Sequence, residues 1–445
     1  MGIETRGIEA KWIDRPWCMC AFRPFFFASA VYAVLLLLGW QLYLHLGVGL
    51  PDIPGGPVAW HAHELVFGFS LAAMAGFVLT AVPEFTATAA FSRAVTVQML
   101  VSWLAARVAY WLSGFGAGVG IALAGALNCL FFGALIVQVT PRLWRDPSRR
   151  HRSFVWALLA LWATLAGYHF AVWRGEYPLP WVKLGVGVTM VLIVLALTRI
   201  SMRIVNDAID EHRLQREEST ADIETYRARP PRRNLAMFAL ALYSLAEFFL
   251  PYAAITGWLG LAAAAAVFNL LNDWHVGRGL LSRWPLLLYG VYWVIALGYL
   301  LNGLHLLGLP LAASAGLHLL TIGGMGGSIF AVLCIAGRRH AGHDLDPRPW
   351  VVLAAGLLAL AALLRAASGW PSLPVVVLQA ISALAWVAAF VLALLYLARI
   401  WLGPRPDGGQ DCEEMGEVAA LPRTAPADAQ LSPVAATDGG RSLPA

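Results

Sequence analysis

The sequence predicts an all-α membrane protein, a polytopic bundle of about twelve transmembrane helices. Of its 445 residues, 59% are hydrophobic and 13% are charged, whereas soluble domains carry about 25% charged residues. Apolar runs of roughly 20 residues, the length that crosses a bilayer, recur along the chain. The net charge of +5 comes from arginines in the short loops between these runs, which is the orientation signal of a membrane protein. We therefore expect the lipid bilayer as a partner and no nucleic acid.

The apolar runs place each predicted span along the chain. Each span is expected to be helical, because hydrocarbon offers no water to unpaired backbone groups. The predicted spans are residues 24–46, 59–82, 94–112, 116–139, 153–173, 182–205, 234–254, 256–275, 284–303, 313–336, 349–368 and 374–402.

Lysine and arginine residues divide the loops into two sets. The N-terminus and the loops after the fourth, sixth and tenth spans are rich in arginine, and the opposite loops have almost none. Because cytoplasmic loops carry the basic excess, we expect both termini in the cytoplasm. The expected organisation is a cytoplasmic N-terminal segment at 1–23, a first six-helix half at 24–205, a cytoplasmic charged connector at 206–233, a second six-helix half at 234–402 and a disordered cytoplasmic tail at 403–445.

The five cysteines stand at irregular positions, and their odd number does not suggest a disulfide framework. We expect no role for Cys412 in the tail. Cys18 and Cys20 are soft ligands of the kind that bind Cu(I), but no histidine stands beside them.

The strongest candidate site is the run from Trp60 to Glu64, at the outer start of the second span. Ionisable side chains at the edge of hydrocarbon are costly and mark a functional site by default. At about 100° per residue, His61 and His63 point roughly 160° apart, so a regular helix does not turn both toward one small ion. Neutral imidazole suits haem iron or copper, and Glu64 is a candidate proton relay. A cluster that only anchors the helix end at the interface is the alternative.

Further histidines form two groups in and after the tenth span. His318 lies at its outer start, one turn before a glycine cluster at 323–327 that permits close approach by another helix or by a flat macrocycle. His340 and His343 lie roughly 33 Å further along a continuous helix, so they belong to a different site. Their spacing suits copper or zinc, and a basic loop end without a metal is the alternative.

Buried charge adds a third observation. Arg107, Glu247 and Arg365 lie in the outer halves of their predicted spans. An arginine there needs an anionic partner, for which Glu247 and haem propionates are both candidates. An internal arginine–glutamate pair that only holds helices together is the alternative.

Several motifs resemble the NnrS family, described as twelve-span bacterial membrane proteins that contain haem and copper and are linked to nitric oxide stress and denitrification. The resemblance is carried by Ala21 to Phe26, Trp60 to Phe69, Ala75 to Pro83 and, more loosely, His318 to Gly327. It implies haem and copper as cofactors, nitric oxide as a candidate ligand and a multi-pass location in the bacterial inner membrane. The sequence departs from the family pattern at His343, where the family usually has arginine.

The motifs and the resemblance are compatible with three functions. The first is a haem and copper protein that binds or redox-handles nitric oxide or its metal adducts. Its candidate ligands are His61, His63 and His318, and Arg107 and Arg365 offset propionate charge. The second is a haem-copper nitric oxide reductase or oxidase-like enzyme, although residues 181–205 of the sixth span lack the histidine that this class needs. The third is a copper or haem transporter, which glycine-broken helices and two opposed histidine clusters would suit.

Overall fold

Twelve long helices build the part of the protein that the structure describes. The computed structural model describes residues 14–116, 118–214, 225–409 and 412, and within these ranges it contains no strand. Each long helix coincides with one predicted span. The helices are α1 (Phe22–Leu46), α2 (Gly56–Phe85), α3 (Arg93–Trp111), α4 (Val119–Arg145), α5 (Arg152–Trp173), α6 (Leu179–Leu214), α7 (Pro230–Phe249), α8 (Ala254–Leu271), α9 (Arg283–Leu306), α10 (Ser314–Arg339), α11 (Trp350–Ala367) and α12 (Val375–Leu402).

Most of these helices are suited to a bilayer by length and composition. Among the described residues, ten helices are long and apolar enough to cross a membrane, which indicates a multi-pass membrane protein. The other two are α3 and α7. Arg93 and Arg107 lower the hydropathy of α3, and α7 contains Arg232 and Arg233 in its first turn and Glu247 near its end.

The bundle has a central core of three helices. In the most apolar windows of α2, α6 and α10, 83%, 61% and 72% of the residues are buried, more than in any other spanning helix of the described chain. These three helices contact one another in pairs. The remaining helices pack mainly against their neighbours in sequence, and α12 packs against both α11 and α1, so that the last helix closes onto the first.

Two of the core helices contain π-helical segments that the sequence pattern does not predict. In α2 the segment Glu64–Phe69 follows directly after His63, and in α10 the segment Leu319–Gly326 follows directly after His318. π-Helical turns are uncommon and occur frequently at functional sites. Residues Gly56–His63 are regular α-helix, so the predicted divergence of His61 and His63 applies to the folded chain.

The glycine cluster of α10 serves helix packing. A Cβ atom added at Gly323 would overlap the side chain of Val294 on α9, and one added at Gly326 would overlap Trp386 on α12. A Cβ at Gly324 would lie 3.0 Å from Ile295 Cγ1. Neighbouring side chains therefore occupy this face, as expected for the close approach of other helices.

The chain after α12 packs against its own N-terminal region. The buried Arg23 side chain donates to the carbonyls of Trp401 (3.2 Å) and Gly403 (2.5 Å). The sulfur atoms of Cys20 and Cys412 lie within bonding distance and form a disulfide, contrary to the expectation that the tail cysteine has no role. The start of the predicted tail is thus tied to the bundle, and residues 410–411 and 413–445 lie outside the described part.

Candidate metal and cofactor site

A completely buried histidine lies at the end of the bundle where α2 and α10 begin, which we call the site end. Nδ1 of His63 lies 2.8 Å from Oε1 of Glu64, and Nε2 lies 3.2 Å from Nε2 of His169 on α5. Since an ionised carboxylate only accepts hydrogen bonds, the Nδ1 atom of a neutral His63 carries the proton. Its Nε2 atom then presents a lone pair to His169, as in the carboxylate–histidine arrangement of metal ligands.

His169 was not predicted as a ligand, and its hydrogen bonding is incomplete. Its side chain is buried, and Nδ1 has no partner among the described residues. A proton on Nδ1 leaves a buried donor unpaired and turns two Nε2 lone pairs toward each other. A proton on Nε2 leaves Nδ1 as an unpaired buried acceptor. Leaving such a group unpaired costs about 1–3 kcal/mol. The first tautomer suits a cation held between the two Nε2 atoms.

Two tyrosines enclose the histidine pair. The ring of His63 stacks on Tyr110 with centroids 3.8 Å apart, and the ring of Tyr168 lies 4.7 Å away. The two hydroxyls are hydrogen-bonded at 2.7 Å, and Tyr168 donates to the carbonyl of Ala59 at 3.2 Å. The rings fix the orientation of the imidazole and surround it with apolar surface.

The carboxylate behind His63 is part of a buried ionic network. Nη1 of Arg107 on α3 donates to Oε1 of the fully buried Glu64 at 2.5 Å. The hydroxyl of Tyr32 donates to Oε2 of Glu64, and Arg107 also donates to Oδ1 of Asn128. Burying a charge without a partner is strongly unfavourable, so these groups depend on one another.

Glu247, one candidate partner of the buried arginines, does not pair with Arg107, which instead forms the internal arginine–glutamate pair of the alternative interpretation, with Glu64. Glu247 on α7 instead accepts a hydrogen bond from Nζ of Lys183 on α6 at 3.1 Å. The two acidic residues lie in different regions of the bundle, because α3 packs against α4 and α7 packs against α6 and α8. Arg107 already has a carboxylate partner in Glu64.

The π-helical segment of α2 makes room for this ion pair. A Cβ atom at Gly68 would lie 2.9 Å from Nη1 of Arg107 and 3.0 Å from Oε2 of Glu64, so a larger residue would displace the pair. The carbonyl of Gly68 accepts a hydrogen bond from Nε1 of Trp103 at 3.1 Å. The altered helix geometry and the glycine together shape the pocket of Glu64.

A second cluster at the site end contains His61, His318 and Arg365. His61 stacks on Trp40 with ring centroids 4.3 Å apart, away from His63. Nδ1 of His318 donates to the carbonyl of Ser314 at 2.8 Å, which leaves Nε2 available for a ligand. Arg365 is close enough to act electrostatically on both imidazoles, and the imidazoles act on each other.

Arg365 is a cation without a carboxylate partner in the described part of the chain. Its guanidinium donates to the hydroxyl of Ser368 at 3.0 Å, and the side chain is half-buried. A half-buried guanidinium next to two imidazoles favours an anionic group from a ligand.

His340 and His343 lie at the opposite end of the bundle. Nε2 of His340 is 3.6 Å from Oε2 of Glu84, and Nδ1 is 3.2 Å from the carbonyl oxygen of Cys412. Burial, followed by the charge of Arg338, lowers the pKa of His343, which favours its neutral form. Throughout the described ranges, no three His, Cys, Asp or Glu side chains come together in a group suited to hold a metal.

These features define a multi-pass helical membrane protein with two histidine clusters at one end of its core. A comparison with protein-family models matches residues 16–405 to the model described as NnrS protein. The chain belongs to the NnrS family, as its motifs suggest, and this membership indicates a membrane protein of the nitric oxide response. A comparison with curated proteins finds no match.

Proposed function

We propose that this protein holds copper and haem in two adjacent sites of the bacterial inner membrane, and that it binds or redox-handles nitric oxide or its metal adducts there. The observation that carries the proposal is the buried pair of Nε2 atoms, 3.2 Å apart, between His63 and His169. Family membership supports the nitric oxide response, and the arrangement of donors supports the assignment of the two sites.

The His63–His169 pair fits copper. Imidazole nitrogen is a good copper ligand, and Glu64 holds His63 in the tautomer that presents Nε2. The unpaired Nδ1 of His169 fits a ring whose proton lies on the side away from the metal. Two protein ligands leave coordination positions open for a small molecule. Copper, when bound, supplies one-electron chemistry and a site for a diatomic ligand.

The cluster of His61, His318 and Arg365 fits haem. The two imidazoles come from different core helices, and His318 has a free Nε2 atom. The guanidinium of Arg365, which has no carboxylate partner among the described residues, suits a propionate, whereas Arg107 is already neutralised by Glu64. Haem iron, when bound, supplies reversible binding of nitric oxide.

The residues around Glu64 hold and move a proton. The hydroxyl of the half-buried Tyr32 donates to Oε2 of Glu64, and Oε1 accepts from Nδ1 of His63. This hydrogen-bonded chain leads from the edge of the site to the imidazole that faces His169. Glu64 therefore orients His63 and serves as the proton relay that the motif suggests.

Cofactor content of single variants tests the assignment. The purified protein should contain haem and copper, measured by the pyridine-haemochrome spectrum and by elemental analysis. His63→Ala and His169→Ala should lose copper and keep haem, while His61→Ala and His318→Ala should lose haem and keep copper. His45→Ala is the matched control, because His45 is exposed near the same end of the bundle. Full content of both cofactors in all four variants would refute the assignment.

A haem-copper reductase or oxidase-like enzyme is the second candidate. It is favoured by the core of α2, α6 and α10 and by histidines from α2 and α10 at one end of that core. Steady consumption of nitric oxide with an electron donor would support it. Binding of nitric oxide without turnover would support the first candidate instead.

A further inference from the structure

A cavity of about 80 Å³ lies between α1, α2, α5, α6 and α10 and opens toward their outer surface. It adjoins both π-helical segments, because Ser70 directly follows the segment of α2 and Met325 belongs to the segment of α10. Its walls are formed almost entirely by apolar side chains, among them Phe26, Ala73 and Ala196.

The few polar groups in the wall are turned away from the cavity. The hydroxyl of Ser70 donates to the carbonyl of Val66, that of Thr189 to Gly185 at 2.8 Å, and that of Ser328 to Met325 at 2.9 Å. All three bonds are made within the residue's own helix. A buried water molecule needs about two to four polar partners, and these hydroxyls have no hydrogen left to donate. The cavity therefore suits an apolar guest better than water.

The size of the cavity admits a small guest. Its volume of about 80 Å³ is more than a single water molecule needs, so there is room for a small apolar molecule. A diatomic gas or a xenon atom fits, and engineered apolar cavities bind xenon.

The cavity lies where a guest molecule can pass between the surface of the spanning helices and the surroundings of His63. Met74, Phe77 and Ile329 in its wall are partly exposed, so a path leads from the surface of the spanning helices. At the other side, Ser70 is separated from His63 only by the π-helical segment Glu64–Phe69. The ring of Phe67, which lies between them in sequence, is 5.5 Å from the ring of His63.

We propose that this cavity binds a small apolar gas molecule that enters from the hydrocarbon of the bilayer and supplies the metal site. The binding of an apolar guest is independent of the proposed function. The supply of gas to a metal site, and the identification of the physiological gas as nitric oxide, rest on it.

Xenon is the probe for the cavity itself. Purified protein in lipid nanodiscs should give a slow-exchanging bound signal in ¹²⁹Xe NMR. Ala73→Leu and Ala196→Leu add three carbon atoms at two different walls, and each should abolish the bound signal. Ala105→Leu adds the same bulk to an exposed position of α3 and should leave the signal unchanged. Absence of bound xenon in the unmodified protein, or its persistence in both filled variants, would overturn the inference.

Two further measurements separate the inference from the proposed function. Cofactor content tests the metal and haem assignment without reference to the cavity, so bound xenon in a cofactor-free protein would refute only the proposed function. In a haem-loaded protein, rebinding of photolysed nitric oxide should include a slow phase from gas held in the cavity. Ala73→Leu should remove this phase. An unchanged rebinding trace would show that the cavity does not supply the site.

Discussion

Removal of the Arg107 charge is expected to leave Glu64 as an isolated carboxylate in the protein interior. The two groups are 2.5 Å apart, and their side chains are 6% and 0% exposed. Breaking such a buried pair costs about 3–5 kcal/mol, because the remaining charge is no longer compensated. Hydrogen bonds from Tyr32 and His63 to Glu64 persist, so we expect Arg107→Met to lower the free energy of unfolding by about 3 kcal/mol, the lower end of that range.

The assay is a double-mutant cycle with unfolding in mixed micelles. Glu64→Gln combined with Arg107→Met should be much less costly than the sum of the two single changes, because the double variant buries no charge. Arg93→Met is the control on the same helix. Its pair with Asp14 spans 3.4 Å between side chains that are 26% and 73% exposed, so its loss should cost less than about 1 kcal/mol. The reasoning fails if Arg107→Met costs no more than Arg93→Met, or if the two changes simply add.

Three other predictions concern the glycine, the membrane crossing and the far end of the bundle. Gly68→Ala should lower both stability and copper content, since its Cβ would lie 2.9 Å from Arg107, while Gly290→Ala, with nothing within 4 Å, should lower neither. Reporter fusions in the loops before and after α3 should lie on opposite sides of the membrane, because its one buried charge is paired within the bundle; reporters on the same side would contradict twelve spans. Burial alone would raise the pKa of Asp346, but hydrogen bonds from Arg348 and Trp350 outweigh it and hold this pKa well below 3.8. The stabilisation by ionised Asp346 is therefore present above the unfolded pKa and is lost as the pH falls through the folded value. Asp346→Asn should accordingly be less stable than the unmodified protein near pH 7, with a difference that shrinks in acid; a constant difference in unfolding midpoint would argue against this role.

The helices could be predicted because each apolar run has the length of a bilayer crossing. The largest difference lies beside the charged connector, where α6 continues at least to Leu214, the last residue described there, whereas the predicted span stops at residue 205. Hydropathy marks where an apolar segment stops, whereas a helix continues into water as long as its backbone hydrogen bonds are made. The run Asp210–Arg213 extends α6 in this way, with an ion pair three residues apart between its first and last members.

The site was predictable only where its polar residues are close in sequence. His63 and Glu64 stand together at a helix start, which marks them without a structure. His169 is a single histidine in an apolar span, and its role depends on the packing of α5 beside the other helices of the site end. Its one local signal is the adjacent Tyr168, whose hydroxyl also belongs to the site.

The same limit explains the partner of Arg107. The sequence shows how deep an arginine lies within its predicted span. It does not show which helix packs beside that arginine, and this neighbour decides which carboxylate the arginine pairs with. Glu64 is 43 residues away in sequence. The π-helical segment also changes the directions in which the side chains after His63 point. A prediction that assumes the regular α-helical period does not include this change.

The two histidine clusters are coupled through one short stretch of α2. His61 and His63 project from different faces of the α-helical segment Gly56–His63, so a shift of this backbone segment moves both imidazoles. The ring of Trp60 lies between the two histidine clusters. Its centroid is 6.4 Å from that of Trp40 and 5.4 Å from that of Trp111. Trp40 stacks on His61, and Nε1 of Trp111 donates to the Tyr32 hydroxyl that holds Glu64. A ligand that shifts one cluster must therefore displace packed aromatic rings that also fix the other, and binding at the two sites should be energetically linked.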